Sequence, residues 1–168
     1  MEDRMIRFIR EFAINAHGSQ KYGENLYVKH LDDVYEVLKR FGFDKPELLE
    51  AAYLHDIVED TNISIQEIEK VFGWKISDLV WRVTSAEGKN RKERNERTYP
   101  KIAGDYWSIV LKLADRIANV EESIKTGSTL LHMYKKEYPY FKSSLLGVFV
   151  DERSMSMWNH LDNLLEDK

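Results

Sequence analysis

The chain has no cysteine, so disulfides and thiolate metal sites are excluded, and any bound metal must be held by nitrogen and oxygen ligands. Proline and glycine are scarce, three and eight in 168 residues, which leaves long segments free of helix breakers. No apolar stretch approaches the roughly 20 residues that span a bilayer. The N-terminal MEDRMIRFIREF is amphipathic and contains acids, unlike a secretory or transit signal, so a cytoplasmic protein with no membrane partner is expected. Cations are not in excess: the net charge of −4 gives no general reason to expect a nucleic-acid polymer as partner. Strand alternation is missing as well. With 43% hydrophobic and 32% charged residues, the chain can bury one sizeable core, and a single domain over residues 1–168 is expected.

What is present reads as an all-α helical bundle. Ile6, Ile9, Phe12, Ala13 and Ala16 form one stripe of a helix from about Glu2, and Val28, Leu31, Val34, Val37 and Leu38 form the stripe of another over about 27–41, ending at Gly42. Asp44-Lys-Pro-Glu47 has the form of a helix start with an acidic cap. Ser64-Ile-Gln-Glu67 matches a capping box, its helix closed by Phe72-Gly73, and Ile76 to Val83 forms the next. A charged stretch over 86–106 precedes the apolar run WSIVLKLADRIANV. Two aromatic-rich amphipathic helices, LLHMYKKEYPYFKSSLLGVF and MWNHLDNLLED, come last. Their aromatic residues Tyr134, Tyr138, Tyr140, Phe141 and Trp158 are expected chiefly to cover the core, with the pocket rim or an oligomer contact as alternatives.

HDIVED at 55–60 places a histidine and three carboxylates in six positions at the end of the apolar PELLEAAYL. Carboxylates there repel one another and the negative end of the helix, so a cation beside them is expected. On a continuous helix His55, Asp56, Glu59 and Asp60 project to one side and Leu48, Ala51, Ala52, Leu54 and Val58 to the other. Imidazole and carboxylate suit a borderline or hard divalent ion. The plainer reading is a solvated acidic face. Asp115 lies among Val110, Leu111, Leu113, Ala114, Ile117 and Ala118, where a carboxylate is costly unless paired or metal-bound. Lys112 and Asn119 share its face, whereas Arg116 points about 100° away. An Asp115–Lys112 ion pair and a metal ligand are both open at this point. His30 and His17 stand at the edges of apolar stripes, and His132 and His160 have no acidic cluster beside them.

Taken together, AINAHGSQKYG, LYVKH, AAYLHDIVEDTNISIQEIEKVFGWKISDLVWRVTS and IVLKLADRIANV resemble the HD-domain metal-dependent phosphohydrolases. More narrowly they resemble the hydrolase domain of the RelA/SpoT proteins and its small stand-alone relatives of the Mesh1 type. The resemblance covers about residues 8–124, with divergent helices over about 129–166. It implies one divalent ion, manganese by preference, held by His30, His55, Asp56 and Asp115, with Glu59 and Asp60 as the catalytic acidic pair. It further implies a nucleotide substrate contacted by Asn119 and by Lys89 and Arg91 of a basic stretch that, taken as a bare charge run, reads as a solvated helix face. The family's basic pair after the first helix is replaced by QKYGEN, which leaves Lys21, with Tyr22 beside it, as the substitute contact. The implied reaction is removal of the 3′-pyrophosphate of ppGpp. The alternatives are another HD hydrolase activity, on NADPH, a deoxynucleotide or a cyclic dinucleotide, and a non-catalytic nucleotide-binding helical module; the oligomeric state is open.

Overall fold

A computed structural model describes residues 2–147 and 150–166. Its helices are α1 (Glu2–His17), α2 (Val28–Arg40), α3 (Pro46–Leu54), α4 (Ile57–Asp60), α5 (Ile65–Phe72), α6 (Trp74–Val83), α7 (Arg91–Ala103), α8 (Tyr106–Thr126), α9 (Leu130–Leu145) and α10 (Glu152–Leu165). The fold is all-α, with one departure from the expected absence of strands. The link after α1 pairs β1 (Lys21–Tyr22) with β2 (Asn25–Leu26) as a minimal antiparallel hairpin, Lys21 opposite Leu26. Gly23 supplies the positive φ of 60° that this turn needs.

The bundle is built around α8. Apart from Lys112, every residue from Ser108 to Ala118 is buried, because this helix is apolar nearly all round and is covered by α2, α3, α6, α7, α9 and α10. Asp105 caps its start, accepting from Ser108 N at 2.8 Å, and Gly127 ends it in the left-handed conformation. Leu31, Val34, Val37 and Leu38 of α2 are buried as the stripe predicts, with Val28 half-buried; Ile9 and Ala13 carry the burial of α1. The capping box of Ser64 and Glu67 is present, and Gly73 closes α5 at φ 89°.

Two local expectations are corrected. The α3 N-cap is Lys45 rather than Asp44, with no side-chain cap bond, because Pro46 at the first helical position already removes one orphan donor. The HDIVED stretch is not one continuous helix: α3 stops at Leu54, Asp56 has φ −102° and ψ −2°, and α4 restarts at Ile57. The interruption turns Ile57 fully into the core and leaves Val58 half-buried, the reverse of the continuous-helix pattern.

The late helices close the bundle. Phe141 and Trp158 are fully buried against each other, ring centroids 5.6 Å apart, and Tyr134 is 8% exposed, so these aromatics do cover the core, whereas Tyr140 is exposed and Tyr138 half-buried. The final helix begins earlier than expected, at Glu152, behind a capping box of Asp151 and Ser154. The expected stretches also reach Val148, Phe149 and Asp167, which lie outside the described residues.

Candidate metal centre

The middle of α8 delivers Asp115 to the centre of the bundle at 7% exposure. Its two same-face neighbours both bind it: Lys112 Nζ donates to Oδ2 at 2.8 Å and Asn119 Nδ2 donates to Oδ1 at 2.7 Å. Arg116 does not pair with Asp115 and bonds Glu137 instead. The ion pair does not exhaust the carboxylate, since Oδ1 also lies 3.2 Å from His30 Nε2 and 3.7 Å from His55 Nε2.

His30 enters from the buried face of α2, and His55 follows the last residue of α3. Their Nε2 atoms are 3.3 Å apart, and Asp56 Oδ2 stands 3.0 Å from that of His55 and 3.5 Å from that of His30. His30, His55 and Asp56 thus offer one ligand atom each within 4.8 Å of one another and form a possible metal site. The break between α3 and α4 serves this arrangement: Asp56 is aimed at Tyr27, whose hydroxyl donates to Oδ2 at 2.5 Å. Tyr27 also stacks on His17 and meets His30 edge-on, bracing the cluster from one side.

The donor set fits a divalent cation. His55 Nδ1 lies 2.8 Å from the Ala52 carbonyl, which can only accept, so Nδ1 carries a proton and Nε2 is the atom turned to the cluster, free to ligate once its own proton is lost. The Nε2 atoms of His30 and His55 and two carboxylates facing one point call for positive charge between them. Burial works against charge on all four groups and is outweighed. For Asp56, the charge of His55 and hydrogen bonds from both histidines hold the carboxyl well below its ordinary range. Asp115 is also held well below its ordinary range, by Lys112 and the same imidazoles. His55 is pushed well above its ordinary value by the charge of Asp56 and by hydrogen bonds with Asp115 and Asp56, and His30 is raised by its bonds with Asp115 and Asp56. His30 Nδ1 is buried with no partner among the described residues, a cost of about 1–3 kcal/mol.

A cavity of about 160 Å³ opens over the cluster. Glu59 lines it, its Oε1 accepting from Ser85 N at 2.6 Å. Arg91 and Asn119 line it too, and Asn119 Oδ1 accepts from the Tyr22 hydroxyl at 2.9 Å. Asp60 turns outward and accepts from Gln20 Nε2 at 2.8 Å, outside the cavity lining. Lys21 lines an adjoining cavity of about 550 Å³ that shares Asn119 with this one, whereas Lys89 is exposed ahead of α7 and lines neither cavity. Among the other histidines, His17 bonds Gln20, His160 bonds Glu121 and His132 is exposed.

Tyr134 lines the cavity as well as covering the core, and sequence reasoning missed Tyr27, Ser85 and Arg116 as lining residues. Tyr27 could have been suspected from its place three residues before His30 on a helical stripe. The others depend on how α6, α8 and α9 pack, and no local pattern announces them.

Residues 10–137 match the HD domain family, and the chain belongs to that family. It is 38% identical over 117 residues to a guanosine-3′,5′-bis(diphosphate) 3′-pyrophosphohydrolase of Aquifex aeolicus, an alignment covering 66% of this chain and 16% of that protein. It is 34% identical over 117 residues to the Drosophila melanogaster protein of that activity named MESH1, covering 67% of this chain and 65% of the other. The chain therefore spans about one sixth of the Aquifex relative and just under two thirds of the Drosophila one. A solved structure of a metazoan ortholog of SpoT, described as hydrolysing ppGpp, superposes with a TM-score of 0.79 at 24% identity, covering 95% of this chain and 94% of the other, and shares the fold.

Proposed function

We propose that the chain is a metal-dependent nucleotide phosphohydrolase whose reaction is the removal of pyrophosphate from the 3′ position of ppGpp, giving GDP and pyrophosphate. The observation that carries this reading is the convergence of His30, His55, Asp56 and Asp115 beneath a cavity walled by Lys112, Arg91 and Arg116. Those four residues would hold the ion, and manganese is the proposed ion. When bound, it supplies a water of lowered pKa and polarises a phosphoryl oxygen. The relatives named above bear the same activity, and the acidic pair Glu59 and Asp60 is intact.

Each side chain then has a task. Glu59, fixed by the Ser85 amide at the cavity edge, takes a proton from the attacking water. The water oxygen bonds to the phosphorus attached to O3′ as the P–O3′ bond breaks; O3′ takes up a proton and pyrophosphate keeps the water oxygen. Asp60 acts from outside the cavity through Gln20, as the partner that orients the acidic turn. Asn119, held by Tyr22 and Asp115, contacts the sugar and its phosphates, while Lys21 stands beside the cavity available to the base. Arg91 contacts phosphate, and Lys89 would do so only by reaching in from the solvent side.

The test is hydrolysis by the purified, manganese-loaded chain of a panel of ppGpp, NADPH, a deoxynucleoside triphosphate and a cyclic dinucleotide, read by release of phosphate and pyrophosphate. Release of pyrophosphate from ppGpp is the expected result. Turnover of another panel member alone would replace the substrate, and turnover of none would remove the enzymatic reading.

A further inference from the structure

Arg116 is a cation in an unusual place. Its guanidinium is 4% exposed, sandwiched with its centre 4.9 Å from the Tyr134 ring and 4.5 Å from that of Phe141. Both contacts are cation–π, which hold the group flat and rigid. A guanidinium has five N–H donors. Among the described residues one is engaged, Nη1 to Glu137 Oε2 at a long 3.3 Å. The residue lines the cavity over the candidate metal centre, so its remaining donors have somewhere to point.

Glu137, on α9, is shared. Arg91 forks onto it with Nε at 2.5 Å from Oε1 and Nη2 at 3.1 Å from Oε2, so two guanidinium groups that border the same cavity share one carboxylate. Bidentate geometry of this kind is what a phosphate oxygen pair offers an arginine. The carboxylate belongs to the divergent late helix, which the catalytic residues do not use.

We propose that Arg116 and Arg91 form a two-guanidinium subsite for a diphosphate group, and that Glu137 is its resident counter-ion, displaced when the diphosphate arrives. This rests on the phosphohydrolase reading and adds to it a substrate-contacting residue, Arg116, and a reason for α9 to cover the site. The rigid stacking of Arg116 sets the position of the diphosphate without further ordering, while Arg91, 44% exposed, swings from Glu137 to the incoming phosphate. The two cations, which share a single negative charge on Glu137, then meet the greater negative charge of the diphosphate.

The experiment is isothermal titration of the full chain with inorganic pyrophosphate at matched, measured metal content. Arg116→Lys, which keeps the charge but loses the fork, should weaken binding at least tenfold. Glu137→Gln, which keeps the shape but removes the competing charge, should tighten it severalfold. Lys136→Ala, an exposed change on the same helix, serves as the control. Unchanged affinity in a folded Arg116→Lys protein, or weaker binding in Glu137→Gln, overturns the proposal; if the Arg116 variant does not fold, the Glu137 result decides alone. A chain that binds pyrophosphate with this pattern yet leaves ppGpp intact would lose the substrate reading and keep the subsite.

Discussion

At the scale of single residues, ligands and catalytic carboxylates separate by what each touches. His55 and Asp56 share contacts only with the cluster and its braces, whereas Glu59 is held by a backbone amide beyond it. His55→Ala or Asp56→Asn should therefore abolish metal binding, measured by metal analysis after desalting. Glu59→Gln should retain the metal and lose about 10²–10³ in kcat. Equal loss of metal in all three would contradict the division of roles. Acidity follows from the same contacts. The raised pKa of His55 means that protonated imidazole stabilises the metal-free chain fully below its ordinary value of 6.5, and that this stabilisation is lost as pH rises through the raised value. A metal ion competes with that proton. The increase in melting temperature on adding manganese should grow as pH rises through values above 6.5, and an increase that is flat with pH would show that the imidazoles are not its ligands.

At the scale of elements, the helices and most of their buried stripes were legible because a 3.6-residue repeat survives in sequence: Leu31, Val34, Val37 and Leu38 announce α2, and Ser64 with Glu67 announces α5. The histidines and aspartates were visible as residue types. Their convergence was implied by the family resemblance alone and not by spacing, because His30, the α3–α4 junction and Asp115 are brought together by packing on α8. The break at Asp56 escaped for a related reason: helix periodicity describes a continuous helix, and the bond from Tyr27 that accompanies the interruption comes from another element. Capping is local and more readily predicted. Asp151 caps α10 through Ser154 N at 2.8 Å, and Asp151→Ala should cost about 1 kcal/mol, a fall in Tm of roughly 2–4 °C by calorimetry. Burial would raise the Asp151 carboxyl, but the Ser154 amide and Arg153 bring it down to about 2 from 3.8. Its stabilising share is therefore present above pH 3.8 and fades as pH falls toward 2, so the Tm gap between the two proteins should narrow across that window.

At the scale of the whole molecule, α9 and α10 give the core its lid. Trp158 is 1% exposed and lies against Phe141, so Trp158→Ala should destabilise by about 3–5 kcal/mol in urea unfolding. A loss below 1 kcal/mol would mean that the late helices are an appendage. The four converging side chains have a further mechanical meaning. One comes from α2, two from the α3–α4 kink, and one from the long helix α8. An ion gripping all four works as a rivet through segments that an unfolded chain leaves far apart, and no stretch of backbone between them can peel away while it stays in place. Limited proteolysis should therefore be markedly slower for the manganese-loaded chain than for the chelated one, with the first protected cuts lying between α2 and α8.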